Sequence, residues 1–356
     1  MKNIIKSVIV MLSSISLFAS ANAGELSVSG TAKATYNIIS GKSNVGKGLG
    51  VTNELNFTAA GELDNGFTWS YSTELDPGSN STSDSQANAQ NDDTQLTLGT
   101  PYGTFGVFVS EGGLDVEDAA SQSVYGRPTD IGDPSATTDN LTIDSYNNVQ
   151  YHTPADLIPF GTTFKIAYAP NTSDVAAGSS GNNAGAVNTM SDTNNGRNAT
   201  EMQLTTAPYE GLKLGASYFE FDGSGMAKVG QEAQSGAYYA TYATGPISIG
   251  YSKGLYAPYN ANGTAASYAT LVDYYDQTNY SVAFAASDEL SVSYEVETSE
   301  KKLHNATSVE QDSSAIQVAY TMGGMTLAVS HASHDNNAYV DGDNTEQTLF
   351  AVTMAF

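Results

Sequence analysis

Cysteine is absent from these 356 residues, which excludes a disulfide framework, a thiolate nucleophile and any cysteine metal site. Positive charge is nearly as scarce: 13 Lys and Arg stand against 38 Asp and Glu, a formal net charge of −25. Such a field repels nucleic acid and other anions and concentrates cations. Past Phe18 no apolar run approaches the roughly 20 residues of a membrane-crossing helix, and mean hydropathy is −0.26. These absences would suit a disordered acidic chain, but 22 Tyr and 12 Phe recur in regular alternation, which disordered chains lack. Any membrane this chain crosses is crossed by strands, whose water-facing residues dilute the apolar ones and hide them from a hydropathy average.

The two ends carry the first positive signals. Lys2 and Lys6 flank the start of an apolar run, Ile4 to Phe18, and Ala21-Asn-Ala23 follows, the pattern of a secretory signal peptide spanning 1–23 with a mature domain over 24–356. Ser13, Ser14 and Ser16 interrupt the run, which argues against a retained membrane anchor. Loss of Lys2 and Lys6 takes the formal charge from −25 to −27. At the other end Thr348, Phe350, Val352, Met354 and Phe356 alternate with Gln347, Leu349, Ala351, Thr353 and Ala355, so one strand face is apolar to the last residue. Such a free edge and apolar face need a partner and a cover, and a closed barrel in lipid supplies both.

The same alternation recurs along the chain. Leu26, Val28, Ala32, Ala34, Tyr36 and Ile38 oppose Ser27, Ser29, Thr31, Lys33, Thr35 and Asn37. Tight turns such as Asp64-Asn-Gly66, a strong hairpin signal, alternate with long polar loops. Sixteen segments result, at 25–39, 50–63, 66–76, 92–100, 103–110, 146–153, 162–170, 199–208, 211–221, 235–244, 246–254, 276–286, 289–299, 313–321, 325–332 and 345–356. The number is even, and every short turn falls on one side. The region 253–277, with Leu271, Val272, Tyr274 and Tyr275, could add strand or slide the register, leaving counts of fourteen or eighteen open. The fold expected is an all-β, transmembrane antiparallel β-barrel, wide enough at sixteen strands to enclose an aqueous channel.

The opening Gly24-Glu-Leu-Ser-Val-Ser-Gly30, the segment Leu96-Thr-Leu-Gly-Thr-Pro-Tyr-Gly-Thr-Phe-Gly106, the long loop after the fifth segment and the terminal Phe356 occur in an order that resembles the general porins of Gram-negative outer membranes, particularly the sixteen-stranded alphaproteobacterial type. That resemblance implies a passive outer-membrane channel for small hydrophilic solutes and ions, usually a homotrimer, whose loop after strand five folds inward. It also implies that Phe356 ends a signal read by the barrel-assembly machinery.

The loop in question, 111–145, carries Glu111, Asp115, Glu117, Asp118, Asp130, Asp133, Asp139 and Asp144, with Arg127 its only cation. The resemblance implies that some of these carboxylates stand at a constriction facing basic wall residues, for which parity offers Lys33, Lys165 and Lys213. A solvated surface loop is the plainer alternative. Family members often carry an arginine cluster on the wall, one of them just after the fifth strand, where this chain has Val109-Ser110-Glu111. Net acidity should therefore dominate, and cation preference is expected.

Other chemistries have weaker support. Among 38 acidic residues chance carboxylate pairs are inevitable, so a glycosidase pair carries little weight. Asp341-Gly-Asp343-Asn344-Thr345-Glu346 and the loop acids offer calcium-type oxygens without EF-hand spacing, and no cofactor is otherwise indicated. His331 and His334 would share a helical face but point to opposite sides of a strand, and Gly46-Lys47-Gly48 lacks the rest of a phosphate loop. An outer-membrane barrel hydrolase, with His152 as its inward histidine, and a surface or adhesin β-protein built as an extended sandwich remain as alternatives. The leader is directly testable: intact-mass measurement on protein from outer membranes should give a chain starting at Gly24, and a chain retaining Met1 would overturn the signal-peptide assignment.

Overall fold

The computed structural model describes residues 25–41, 45–77, 89–131, 136–170, 172, 198–222, 229–231, 233–258, 260–261 and 271–356. The expected leader, 1–23, and Asp133 lie outside the described residues. Sixteen antiparallel strands form one closed barrel: β1 (Glu25–Gly41), β2 (Gly46–Glu62), β3 (Thr68–Pro77), β4 (Ala89–Thr100), β5 (Gly103–Val109), β6 (Asn148–His152), β7 (Thr163–Ala169), β8 (Asn198–Tyr209), β9 (Leu212–Asp222), β11 (Gln234–Thr244), β12 (Ile247–Ala257), β14 (Val272–Ala285), β15 (Leu290–Leu303), β16 (Val309–Met322), β17 (Met325–Asp335) and β18 (Thr345–Ala355). Two short strands, β10 (Val229–Gln231) and β13 (Asn260–Ala261), pair with each other outside the barrel. Each expected segment corresponds to one barrel strand, and the described residues of the 253–277 region extend β12 and β14 and supply β13, with no further barrel strand among them. Closure rules out the extended sandwich of the adhesin alternative.

The outward faces follow the alternation. Leu26, Val28, Leu96, Ile249, Ile316, Val329, Phe350 and Met354 are all exposed, which in a barrel is the surface that lipid covers. Several strands run past the expected ends on the long-loop side: β14 starts at Val272, β15 continues to Leu303, β16 starts at Val309 and β17 reaches Asp335. The added residues include Lys301, Lys302 and Glu310. Hydrogen-bonded ladders need no apolar face to continue into water, so periodicity of hydrophobic residues marks the lipid-covered part of a strand and understates its length.

Turn chemistry holds the short side. Gly66 takes φ +80° and donates its N–H to Leu63 O at 2.8 Å. Gly211 takes φ +78°, and a Cβ there would stand 2.1 Å from Ala243 O, so both conformation and space require glycine.

The ring closes where β1 meets β18, with Tyr36 opposite Phe350 and Thr31 opposite Ala355. The last residue completes the seam: Gly30 donates N–H to Phe356 O at 2.8 Å and Phe356 returns its own to Gly30 O at 3.0 Å. The Phe356 ring lies across Gly30, where a Cβ would approach it to 3.0 Å, and the residue is 65% exposed on the outward side. Deleting Phe356 should therefore lower the yield of assembled barrel, read as heat-modifiable protein in outer membranes, and leave the single-channel conductance of the assembled fraction near wild type. Normal assembly with altered conductance would contradict this placement.

Candidate functional site

After β5 the chain turns into the barrel and returns at β6. Gly112, at φ +83°, has no room for a side chain, since a Cβ would lie 2.5 Å from Gln150 Nε2 and 2.7 Å from the Phe108 ring. The loop then presents an apolar side to the wall. Leu114 and Ile143 bury against Ala167, Ala169, Ala199 and Phe219, Val116 and Ala120 against Ala237 and Tyr239, and Ile131 against Ala315 and Ala332. Burying a Leu, Val or Ile contributes about 1.5–3 kcal/mol, so this seat is a substantial part of the loop's hold. The wall opposite is built of small residues to admit it. At Gly250 a Cβ would fall 1.7 Å from Ala120 O.

Three wall carboxylates fix the loop through its backbone N–H groups and hydroxyls. Glu201, on β8, accepts N–H from Ile143 at 2.8 Å and from Leu114 at 3.2 Å, joining the two legs of the loop. Glu295, on β15, accepts from the hydroxyls of Ser121 at 2.6 Å and Ser123 at 2.5 Å. Glu297 takes the Thr129 N–H at 3.0 Å and hydroxyl at 2.6 Å. Gln317 grips the next turn from β16, accepting from Tyr125 N at 3.0 Å and donating to Gly126 O at 2.5 Å. His334 contacts Ile131 O through Nε2 and Ser313 Oγ through Nδ1, both at 3.0 Å. A carbonyl only accepts, so Nε2 carries the proton.

The acidic residues separate into two groups on the other side of the loop. Arg127 is held by Asp118, by Asp139 at 2.7 Å, by Asp130 at 3.3 Å and by Glu297 at 3.6 Å. Its side chain is 11% exposed, whereas those of Asp118, Asp130 and Asp139 are 54%, 51% and 63% exposed, so the guanidinium is enclosed and the carboxylates meet the lumen. Burial acts to lower the Arg127 pKa, but the surrounding carboxylates outweigh it and hold the group above its ordinary value. The second group closes over Gly113, whose Cβ would meet Asp115 Oδ1 and Asp144 Oδ2, each at 2.9 Å. Burial, opposed by a Thr142 hydrogen bond and aided by Asp139, raises the Asp115 carboxyl. Burial followed by Asp115 raises that of Asp144. Glu117 is buried between them and the wall, accepting N–H from Asn140 at 2.5 Å and Val116 at 3.1 Å. Burial, then the charge of Asp115, pushes it up to about 8. Glu111 is half-buried at the start of the loop.

The three lysines do not gather opposite these acids. Lys33 is on the wall that the loop leaves uncovered, with Nζ 5.7 Å from the Tyr125 ring centre. It is the one cation on the inward rows of β1–β5 among the described residues, sharing them with Ser29, Thr31, Glu54, Thr58, Ser70 and Thr97. Lys165 pairs across β6–β7 with His152, near the loop's base. Lys213 is exposed on β9 one residue from the start of the strand, at the short-turn mouth.

Sequence reasoning missed the wall carboxylates. Alternation places Glu201, Glu295 and Glu297 inward, but nothing local distinguishes an acid lining water from one receiving a loop. It also missed His334, because β17 outruns its apolar segment. His331 and His334 do point to opposite sides, the first exposed and the second buried. His152 contacts Gln150 Oε1 at 2.7 Å. Among the described residues no three His, Asp or Glu side chains are grouped as an ion site needs. In the 341–346 segment the Asp343 backbone instead closes turns with Val340 and Asn337.

A family model for Gram-negative porins matches residues 8–355. No curated protein sequence matches the chain. Among solved structures, OmpF of Salmonella typhi in complex with daunomycin aligns with a TM-score of 0.67 at 11% identity, over 94% of this chain and 98% of its own. OmpT of Vibrio cholerae, folded in vitro, aligns with a TM-score of 0.63 at 11% identity, over 94% and 98%. A mutant of the Rh. blastica porin aligns at 0.58 and 14% identity, over 93% and 100%. At these identities the likeness to solved structures is one of fold, and with the family match over nearly the whole sequence, the chain belongs to the Gram-negative porins.

Proposed function

We propose that this outer-membrane diffusion channel selects at the loop 111–145, passing small hydrophilic solutes and favouring cations. The observation that carries the reading is the lumen-facing set Asp118, Asp130 and Asp139 around an enclosed Arg127. The one loop cation is surrounded by carboxylates and offers little to a passing anion, whereas three carboxylates remain open to water. Lys33 alone supplies a positive counterpart on the uncovered wall among the described residues, so the transverse field is weak beside the net negative potential. Solutes pass down their gradients, sieved by the gap between loop and wall and sorted by charge. Asp133, in the same acidic loop by sequence, would add to that potential.

No bond is made or broken in this reading. Family membership speaks for a channel, and His152 is bonded to Gln150, not to a serine hydroxyl. A homotrimer, with Phe356 presented to the barrel-assembly machinery, fits the exposed apolar outer face and the seam at Gly30, and a signal peptide over 1–23 fits export.

Planar bilayers separate the elements of this proposal. In a KCl gradient the reversal potential should give potassium preference over chloride, and chloride preference would sink the selectivity claim. A charge about 4 Å from a passing ion is worth about 1 kcal/mol in water, roughly a factor of five, so Asp139→Asn, at the most exposed of the three, should reduce the permeability ratio by roughly fivefold at low salt. An unchanged ratio would move selectivity away from the loop.

The loop's hold should also depend on pH through Glu117. Its pKa in the folded channel, about 8, lies above the ordinary 4.5, so the contribution is fully present below about 4.5 and is lost as pH rises through 8. Open-channel noise and partial closures should therefore increase between pH 7 and 9, and Glu117→Gln should reduce that increase. Equal noise at the two pH values in the unsubstituted channel would contradict the assignment.

A further inference from the structure

The inward rows of this barrel are mostly small or polar, and apart from the aromatics packed under the loop, such as Phe219 and Tyr239, one aromatic cluster faces the lumen on the long-loop side. On the long-loop side of the constriction, Tyr256 of β12 pairs in register with Tyr275 of β14, and their rings stack with centres 5.7 Å apart at 23°. Tyr339, from the β17–β18 loop, reaches in beside them, 5.6 Å from Tyr275. Parity puts the strand tyrosines on the lumen side, since Gln277 on the same face of β14 donates to Thr137 O at 3.1 Å. The Tyr339 hydroxyl accepts from Thr137 N at 2.8 Å and meets Ser299 Oγ at 2.7 Å. Tyr256 and Tyr275 thus form a half-buried platform directly above the loop, with the Tyr339 ring tilted 44° beside it.

We propose that this platform is a subsite for neutral, ring-shaped hydroxylated solutes, that is, saccharides entering from the outside. The proposal rests on the channel reading above and adds a solute class to it. Stacked aromatic rings offer a flat apolar surface, which suits the C–H face of a pyranose and gives nothing to a linear polyol. Charge selects against the alternatives. Lys301, opposite Tyr275 in the β14–β15 register, places Nζ 5.5 Å from the Tyr339 ring centre. It already occupies the cation-binding face of the platform and repels a second cation. The acids below, Asp139 first, repel anions. A neutral ring meets neither penalty, and the Lys301 ammonium can donate to its hydroxyls.

The test is block of ion current by maltotriose added on the long-loop side, normalised to each variant's sugar-free conductance, with sorbitol and spermidine as comparison solutes. Maltotriose should interrupt the current at concentrations where sorbitol does not. Tyr275→Ala should raise its half-blocking concentration about tenfold, while Tyr275→Phe retains the block. Tyr256→Ala provides the second variant should the first not assemble. Equal block by sorbitol, block by maltotriose that ignores both alanine substitutions, or spermidine block that depends on Tyr275 where maltotriose has none, would each overturn the saccharide subsite. A protein without conductance steps refutes the channel itself, whereas a conducting protein indifferent to maltotriose refutes only the platform.

Discussion

The contact on which the channel depends is the pairing of loop backbone and hydroxyl donors with carboxylates of the barrel wall. A ring of sixteen strands encloses more space than wall side chains fill, so the lumen discriminates only where something else narrows it. Here that element is one stretch of chain, 111–145, with single 3-10 turns at Glu117–Ala120, Pro128–Asp130 and Ile143–Ser145 and, among its described residues, no sheet of its own. Such a segment has many N–H groups to satisfy once it leaves bulk water. Glu201 and Glu297 accept three of them, from Leu114, Ile143 and Thr129, and Glu295 accepts the hydroxyls of Ser121 and Ser123. The apolar seat under Leu114, Val116, Ile131 and Ile143 holds the loop down, and the carboxylates determine which turn lies where.

Much of the barrel was legible because its requirements are periodic. Lipid outside and water inside impose a two-residue repeat on every strand, and turns such as Asp64-Asn-Gly66 punctuate it, so a count of sixteen and closure between the first and last strands follow, whereas the inward loop was implied by the family resemblance. Strand ends were less legible at β14–β17, where ladders continue into water and Lys301, Lys302 or Glu310 replace the apolar row. The loop's docking was partly legible as well. Leu114, Val116, Ile131 and Ile143 interrupt a run of acids at irregular spacing, which a purely solvated loop would have no reason to do. Their partners were not, since Ala237, Gly250 and Ala315 come from strands far away in sequence.

The same reasoning changes how the acidic loop is understood. The family resemblance implies a negative arm facing a positive wall, a pattern of opposed charges. In three dimensions the wall beneath the loop is itself acidic, and the cation that reconciles the two belongs to the loop. Arg127 stands between Glu297 below and Asp118, Asp130 and Asp139 above, so one guanidinium with five donors bridges wall and lumen groups. Losing one partner of such an enclosed set costs more than its formation contributes, because the remaining charges stay without compensation. The acids at the opening can therefore be numerous only because that guanidinium is fixed behind them.

On the proposed reading, selectivity and retention divide between two levels of one passage. At the constriction, exposed carboxylates act on any passing ion through water, at distances where salt screens them. Above it, the rings of Tyr256, Tyr275 and Tyr339 act only on contact and only on solutes with a flat apolar face, and added salt leaves that contact unscreened. Tyr339 joins the levels, since its ring lies beside the platform while its hydroxyl holds Thr137 of the loop. A solute resting on the platform consequently bears on the group that positions the narrowest part of the channel.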